Sequence, residues 1–160
     1  MMDVSSIVGM NDVVAQAPGY LLRRVQKLVA TRAEACFQDS RLSFTQWIAL
    51  RLVQDRIVDT AGAMARNMCH DTGAVTRVLD QLEEQDMLRR TRSRQDRRVV
   101  TLAVTPKGEA AVAEMRPGID ALWSDLFAGF TPQEITLFTT ILSKMLMRLE
   151  AGESQAGDEG

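Results

Sequence analysis

DTGAVTRVLDQLEEQDMLRRTRSRQDRRVVTLAVT, residues 71–105, reads as an amphipathic helix running directly into a two-stranded hairpin. In its first half Val75, Val78, Leu79 and Leu82 share one side, while Gly73, Thr76, Arg77 and Asp80 lie about half a turn away. Such a helix has one face for a core and a small, polar face for a groove. Asp71 or Thr72 supplies a capping oxygen at its start, and Asp86 closes it. Met87 and Leu88 lead into the hairpin, whose return strand VVTLAV, residues 99–104, is strongly β-prone. Between Arg89 and Arg98 lie six arginines (Arg89, Arg90, Arg92, Arg94, Arg97, Arg98) and one acid, Asp96, in a chain of formal net charge −2. A groove-sized helix joined to a basic hairpin is what a winged helix-turn-helix reader of DNA requires.

The bulk composition is compatible with that. A chain of 160 residues, 46% hydrophobic, is long enough for one well-buried domain and short for two. Aromatics are only 5%, and the abundance of Leu, Ala, Met and Val favours helices, so the expected fold is mostly α. A slightly acidic whole argues against a protein that coats nucleic acid indiscriminately, whereas a sequence-specific reader needs one basic face. Cys36 and Cys69 are the only cysteines, no leader-like segment opens the chain, and no apolar run is long enough to span a bilayer. The expectation is a cytoplasmic protein with reduced thiols and no membrane partner.

Working outward, residues 1–17 lack a sustained period and read as a flexible N-terminal arm. Pro18 opens a helix to about Gln38, with Leu21, Leu22, Val25, Leu28, Val29, Arg32, Ala33 and Cys36 returning at steps of three and four. Ser43 and Gln46 form a capping-box signature before FTQWIALRLVQD, which turns Trp47, Leu50 and Val53 inward. A short helix from Asp59 or Thr60 places Ala61, Met64, Ala65 and Met68 on one side. Beyond the hairpin, Thr105 and Pro106 open a helix to about Phe127, with a kink expected at Pro117. Thr131, Pro132 and Glu134 open the last helix, where Ile135, Phe138, Leu142, Met145 and Leu149 form a packing seam. Residues 151–160, AGESQAGDEG, read as a disordered acidic tail.

In this order of elements the chain resembles the MarR family of transcriptional regulators over roughly residues 18–150. RSRQDRRVVTLAVTPKG is similar to that family's wing signature, and LSFTQWIAL and GAVTRVLDQLEEQDMLRR resemble its second and recognition helices. The resemblance implies six helices plus a two-stranded β wing. Residues 43–104 would form the DNA-binding part, and helices 18–38 and 106–150 an obligate homodimer interface, so that two winged modules straddle a pseudo-palindromic operator in double-stranded DNA. It also implies a repressor released by a small-molecule effector. The chain departs from many members in having Cys69 and Asp86 where they have glycine; Asp tolerates left-handed backbone better than Cys.

Candidate sites follow from residue chemistry. Thr72, Gly73, Thr76 and Arg77 are expected to approach base edges and phosphates, Arg77 foremost because guanidinium pairs bidentately with guanine. Arg94 at the wing tip suits a narrow minor groove, while Arg92, Arg97 and Arg98 suit phosphates or Asp96. Asp96 reads as a brace, and the resemblance implies that it holds the wing's shape with Arg98. The resemblance implies an effector pocket between the DNA-binding part and the dimer helices, and there Tyr20, Arg23, Arg24 and Lys27, together with Trp47, Arg51 and residues of the fifth helix, are the expected surroundings of an anionic effector, an aromatic acid or its thioester. The plainer reading of those residues is a core tryptophan and surface arginines. His70 is the only histidine, so no histidine metal cluster and no cofactor is expected, and no nucleophile–base pair points to an enzyme. Two alternatives stay open: a winged-helix module for protein contact, and a redox-sensing regulator acting through Cys69, Cys36 being expected to be buried.

Overall fold

In a computed structural model residues 17–68, 72–93, 96 and 98–156 are described, with Thr72 and 152–156 described by backbone alone, and the described residues form six helices and one two-stranded sheet. The elements are α1 (Pro18–Ala35), α2 (Phe44–Gln54), α3 (Ala61–Asn67), α4 (Thr72–Glu84), β1 (Leu88–Arg92), β2 (Val100–Val104), α5 (Pro106–Leu126) and α6 (Pro132–Ala156). The mostly α fold with a β wing expected from the sequence is the one observed. Residues through Asp120 make one compact unit and those from Ala121 a second.

The first unit is built on caps that the sequence spells out. Pro18 occupies the first turn of α1, where its missing amide hydrogen has no intrahelical partner to lose. Ser43 Oγ accepts from the Gln46 amide and Gln46 Oε1 accepts from the Ser43 amide, a complete capping box at 3.2 and 2.9 Å. Thr60 Oγ1 accepts from the Ala63 amide to open α3. The cap expected from Asp71 or the Thr72 side chain lies outside the described residues. Helix α1 stops at Ala35, short of the expected Gln38, because the amides of Cys36 and Phe37 turn back three residues to Ala33 and Glu34. Cys36 is consequently half-buried rather than buried, its thiol directed at the carbonyls of Arg32 and Gly118.

The core of this unit gathers Leu50, Met64, Leu79, Leu82 and Leu88, each no more than 2% exposed. Burying a side chain of this size contributes about 1.5–3 kcal/mol. Val75 joins them and Val78 is half-buried, so α4 packs the face that its periodicity marks. Trp47 is half-buried, stacked on Phe44 at 6.1 Å and tilted against Phe37, with its indole Nε1 donating to the Val112 carbonyl.

Strands β1 and β2 pair antiparallel with Leu88 opposite Val104 and Arg90 opposite Leu102. At the 90/102 level both main-chain amides leave the ribbon. The Leu102 amide donates to the Asp59 carbonyl at 2.9 Å, and that of Arg90 to the Glu83 carboxylate at 3.2 Å. Both edges of the hairpin are therefore satisfied by flanking elements at one height.

The second unit contains the end of α5 and all of α6. Trp123, Phe127, Phe130 and Phe138 form a chain of ring contacts at 5.6–6.2 Å. Thr131 and Glu134 close the expected box, Glu134 Oε2 accepting from the Thr131 amide and hydroxyl, and this pulls the Glu134 carboxyl below its ordinary range. Helix α5 runs through Pro117 without ending. Helix α6 continues to Ala156, which corrects the expectation of a tail beginning at residue 151. Ala, Glu, Ser and Gln after Ala151 are adequate helix formers once a long helix precedes them, since propagation costs less than nucleation.

Candidate nucleic-acid interface

Helix α4 presents Gly73, Thr76 and Arg77 to solvent on the side opposite Val75, Leu79 and Leu82. Arg77 Nε donates to the Gly73 carbonyl one turn back, at 3.2 Å, which lays the guanidinium along the exposed face. Thr72 is the first helical residue. The tilt of α4 is set by α2: Gln46, only 6% exposed, donates Nε2 to Gln81 Oε1 at 3.0 Å while its own Oε1 caps α2. One side chain thus joins the first and third of the three consecutive helices α2, α3 and α4.

The far end of α4 is held by the residues that follow the wing. Asp86 sits at φ 56°, the left-handed turn that glycine favours and that Asp accommodates better than most residues. The Asp86 carbonyl accepts from Thr105 Oγ1 at 2.7 Å, the Gln85 carbonyl from Lys107 Nζ at 2.7 Å, and the Met87 carbonyl from the Thr105 amide at 3.1 Å. These are the orphan acceptors of a helix end and its exit turn, satisfied by the next element. Gly108 completes the fit, because a Cβ there would stand 2.1 Å from the Met87 carbonyl oxygen. The run TPKG, noticed in the sequence only as a helix start, is therefore also the clasp of the recognition helix.

The wing arginines do not share one fate. Arg92 and Arg98 are exposed; Arg94 and Arg97 lie outside the described residues. Arg90 turns away from the surface that the sequence suggested: its Nε donates to Glu83 Oε2 at 2.7 Å, and its Nη2 reaches Glu83 Oε2 and Asp80 Oδ1 at 2.6 Å each. The hydrogen bonds from Arg90 hold the Glu83 carboxyl below its ordinary range, and those carboxylates hold the guanidinium pKa above its own. Asp80, which the periodicity places on the groove side, is thereby engaged by the wing. An acidic pair three residues apart, followed by arginine on the next strand, is the only sequence signal of this cluster. Asp96 accepts from the Arg98 main-chain amide at 2.9 Å and its own amide donates to Ser93 Oγ, so its partners here are backbone and hydroxyl groups of the loop.

The residues expected around an effector are dispersed among other tasks. Arg24 donates to the Tyr20 hydroxyl at 2.9 Å, Arg51 pairs with Asp55, and the Trp47 nitrogen is taken by Val112. Arg23 is exposed on α1. A separate cleft of about 440 Å³ lies between the turn at Asp39–Leu42, Met87 and the first half of α5. Cys69 and His70 lie outside the described residues, and among those described no group of histidine, cysteine and carboxylate side chains is arranged to hold a metal. No helix among them is long and apolar enough to cross a membrane.

Three helices whose first and third are cross-braced at Gln46, followed by an antiparallel hairpin stitched to the last of them, define a winged helix-turn-helix protein. The MarR family model matches residues 42–100, the stretch from just before α2 to the beginning of β2. The HTH-type transcriptional regulator YsmB of Bacillus subtilis (strain 168) is 23% identical over 124 residues, covering 78% of this chain and 85% of its own. Among solved structures, BpsR of Bordetella bronchiseptica, whose DNA binding is regulated by 6-hydroxynicotinic acid, is 27% identical with a TM-score of 0.71, over 82% of this chain and 94% of that one. A MarR variant from E. coli complexed with operator DNA has 21% identity and a TM-score of 0.71, over 85% and 99% of the two chains.

Proposed function

We propose that the protein is a homodimeric, sequence-specific DNA-binding regulator in which α4 reads the major groove and the wing contacts the flanking backbone. The observation that carries this is the division of α4 into a buried apolar face and an exposed face of Gly73, Thr76 and Arg77, next to the exposed wing arginines. Thr76 and Arg77 contact base edges, Arg92 and Arg98 contact phosphates, and Arg94 and Arg97 add positive charge to the same stretch of sequence. Dimerisation is supported by the apolar side chains left exposed on α1 (Leu21, Leu22, Val25, Leu28) and on α6 (Phe138, Ile141, Met145, Leu149). Two copies then place their recognition helices about one DNA turn, ~34 Å, apart.

The test is fluorescence anisotropy with a duplex enriched by the protein from a random pool. Arg77→Ala is expected to weaken binding by about 1–3 kcal/mol and to relax preference at one base position, whereas Arg98→Ala weakens all duplexes alike and lowers the salt slope by about 1. Salt-insensitive or absent binding rules the reading out and favours a wing that docks on protein.

The regulator acts as a repressor released by a small aromatic acid. The similarity to BpsR supports this class of effector, and the exposed Arg23 with the Tyr20–Arg24 pair on α1 offers cations and a ring to an anionic aromatic. An effector lowers operator affinity by its differential preference for the non-binding state. A thermal-shift screen of aromatic acids and thioesters, followed by DNA release with each hit, tests it: a hit that stabilises the fold without releasing DNA contradicts the reading.

A further inference from the structure

The cluster of Arg90, Glu83 and Asp80 stands out because it removes a cation from the wing's apparent charge and places it between two elements. Glu83 receives three contacts from one residue: the Arg90 main-chain amide on Oε1, and Nε and Nη2 on Oε2. Asp80, one turn earlier on α4, shares the same Nη2 of that guanidinium with Glu83. The amide bond matters most, since it fixes the backbone of β1 to α4, where a side-chain pair alone would slide. The three side chains are 27–46% exposed, so solvent screens the pairs and their net contribution to stability is small. Geometry is what such a fork supplies: two carboxylates a helical turn apart fit a planar guanidinium in one orientation.

We infer that Arg90, Glu83 and Asp80 are positioning residues for DNA binding, which set the angle between the recognition helix and the wing so that both reach their grooves at once. The inference rests on the DNA-binding reading above. It reverses the sign expected of Glu83. Simple electrostatics makes an acid beside a DNA surface unfavourable, whereas here removing its charge frees the wing and weakens binding.

The experiment compares wild type, Glu83→Gln, Arg90→Met and the double variant by anisotropy on the enriched duplex, with folded fraction fixed from circular dichroism. Both single variants are expected to lose about tenfold in affinity, and the double variant no more than the worse single one, because one coupling is broken in each. If Arg90 instead touched phosphate, Arg90→Met would weaken binding, Glu83→Gln would tighten it, and the two effects would add; that pattern overturns the inference. So does unchanged affinity of both folded single variants, which would leave the cluster a merely structural one. A wild type that binds no duplex refutes the DNA reading instead, and hydrogen exchange then judges the cluster. Amides of Leu88–Arg92 should exchange faster in Glu83→Gln while those of Ala49 and Leu50 do not, and equal exchange throughout refutes the positioning role.

Discussion

Among the described residues two outside glycine adopt left-handed backbone, Arg56 at φ 58° and Asp86 at φ 56°. Both follow a helix end, where the chain must reverse its hand to leave. Asp86 suits the position and Arg56 does not, so the two sites respond differently to the same substitution. Arg56→Gly is expected to raise stability by about 1 kcal/mol, and Asp86→Ala to lower it by a similar amount while Asp86→Gly is tolerated, all read by urea denaturation. Gly108 behaves oppositely. It has an ordinary backbone but no room, and Gly108→Ala is expected to cost about 3 kcal/mol, a Tm drop on the order of 10 °C. Asp86 was legible in the sequence, because its place after an apolar-periodic run marks a helix end. Gly108 was legible as part of a helix start only, since its close approach to the Met87 carbonyl depends on a chain reversal that no local pattern encodes.

At the level of elements, the caps at Ser43, Thr60 and Thr131 were readable because each signal is complete within four residues. The wing was readable as a hairpin but not in its electrostatics. Six arginines look alike along a line; only the fold brings Arg90 against acids seven and ten residues earlier, while Arg92 and Arg98 stay in solvent. The pairing also gives the joint a pH dependence. The Glu83 carboxyl is lowered from its ordinary value of 4.5 in the folded protein, so its stabilising effect is complete above that value and is lost as pH falls through the lower, folded one. The Arg90 main-chain amide resonance should therefore titrate with a midpoint below 4.5, and Glu83→Gln should abolish that titration.

For the whole molecule, the helical class and the order of helices and strands followed from periodicity and punctuation. The extent of α6 did not, because small and acidic residues after Ala151 have no pattern of their own and inherit the helix before them. The apolar strip of α6 leads to a prediction of assembly. Ile141→Glu is expected to leave helical content intact, to shift the sedimenting species from dimer to monomer, and to weaken operator binding by at least tenfold, since an unpaired buried carboxylate is strongly disfavoured in a dimer interface. A dimer that persists in this variant places the interface elsewhere. The clasp at Thr105, Lys107 and Gly108 and the fork at Arg90 together hold only the root of the hairpin. Beyond them the Ser93 amide donates to the Val99 carbonyl, the Val99 amide to the Asp96 carbonyl and the Asp96 amide to Ser93 Oγ. Loop closure depends only weakly on length, about 0.6 kcal/mol per doubling. The root is thus a mount that does not depend on the tip: Asp96→Ala is expected to leave the amide exchange of Leu88–Arg92 unchanged, because the fork and the clasp lie on the other side of the ladder.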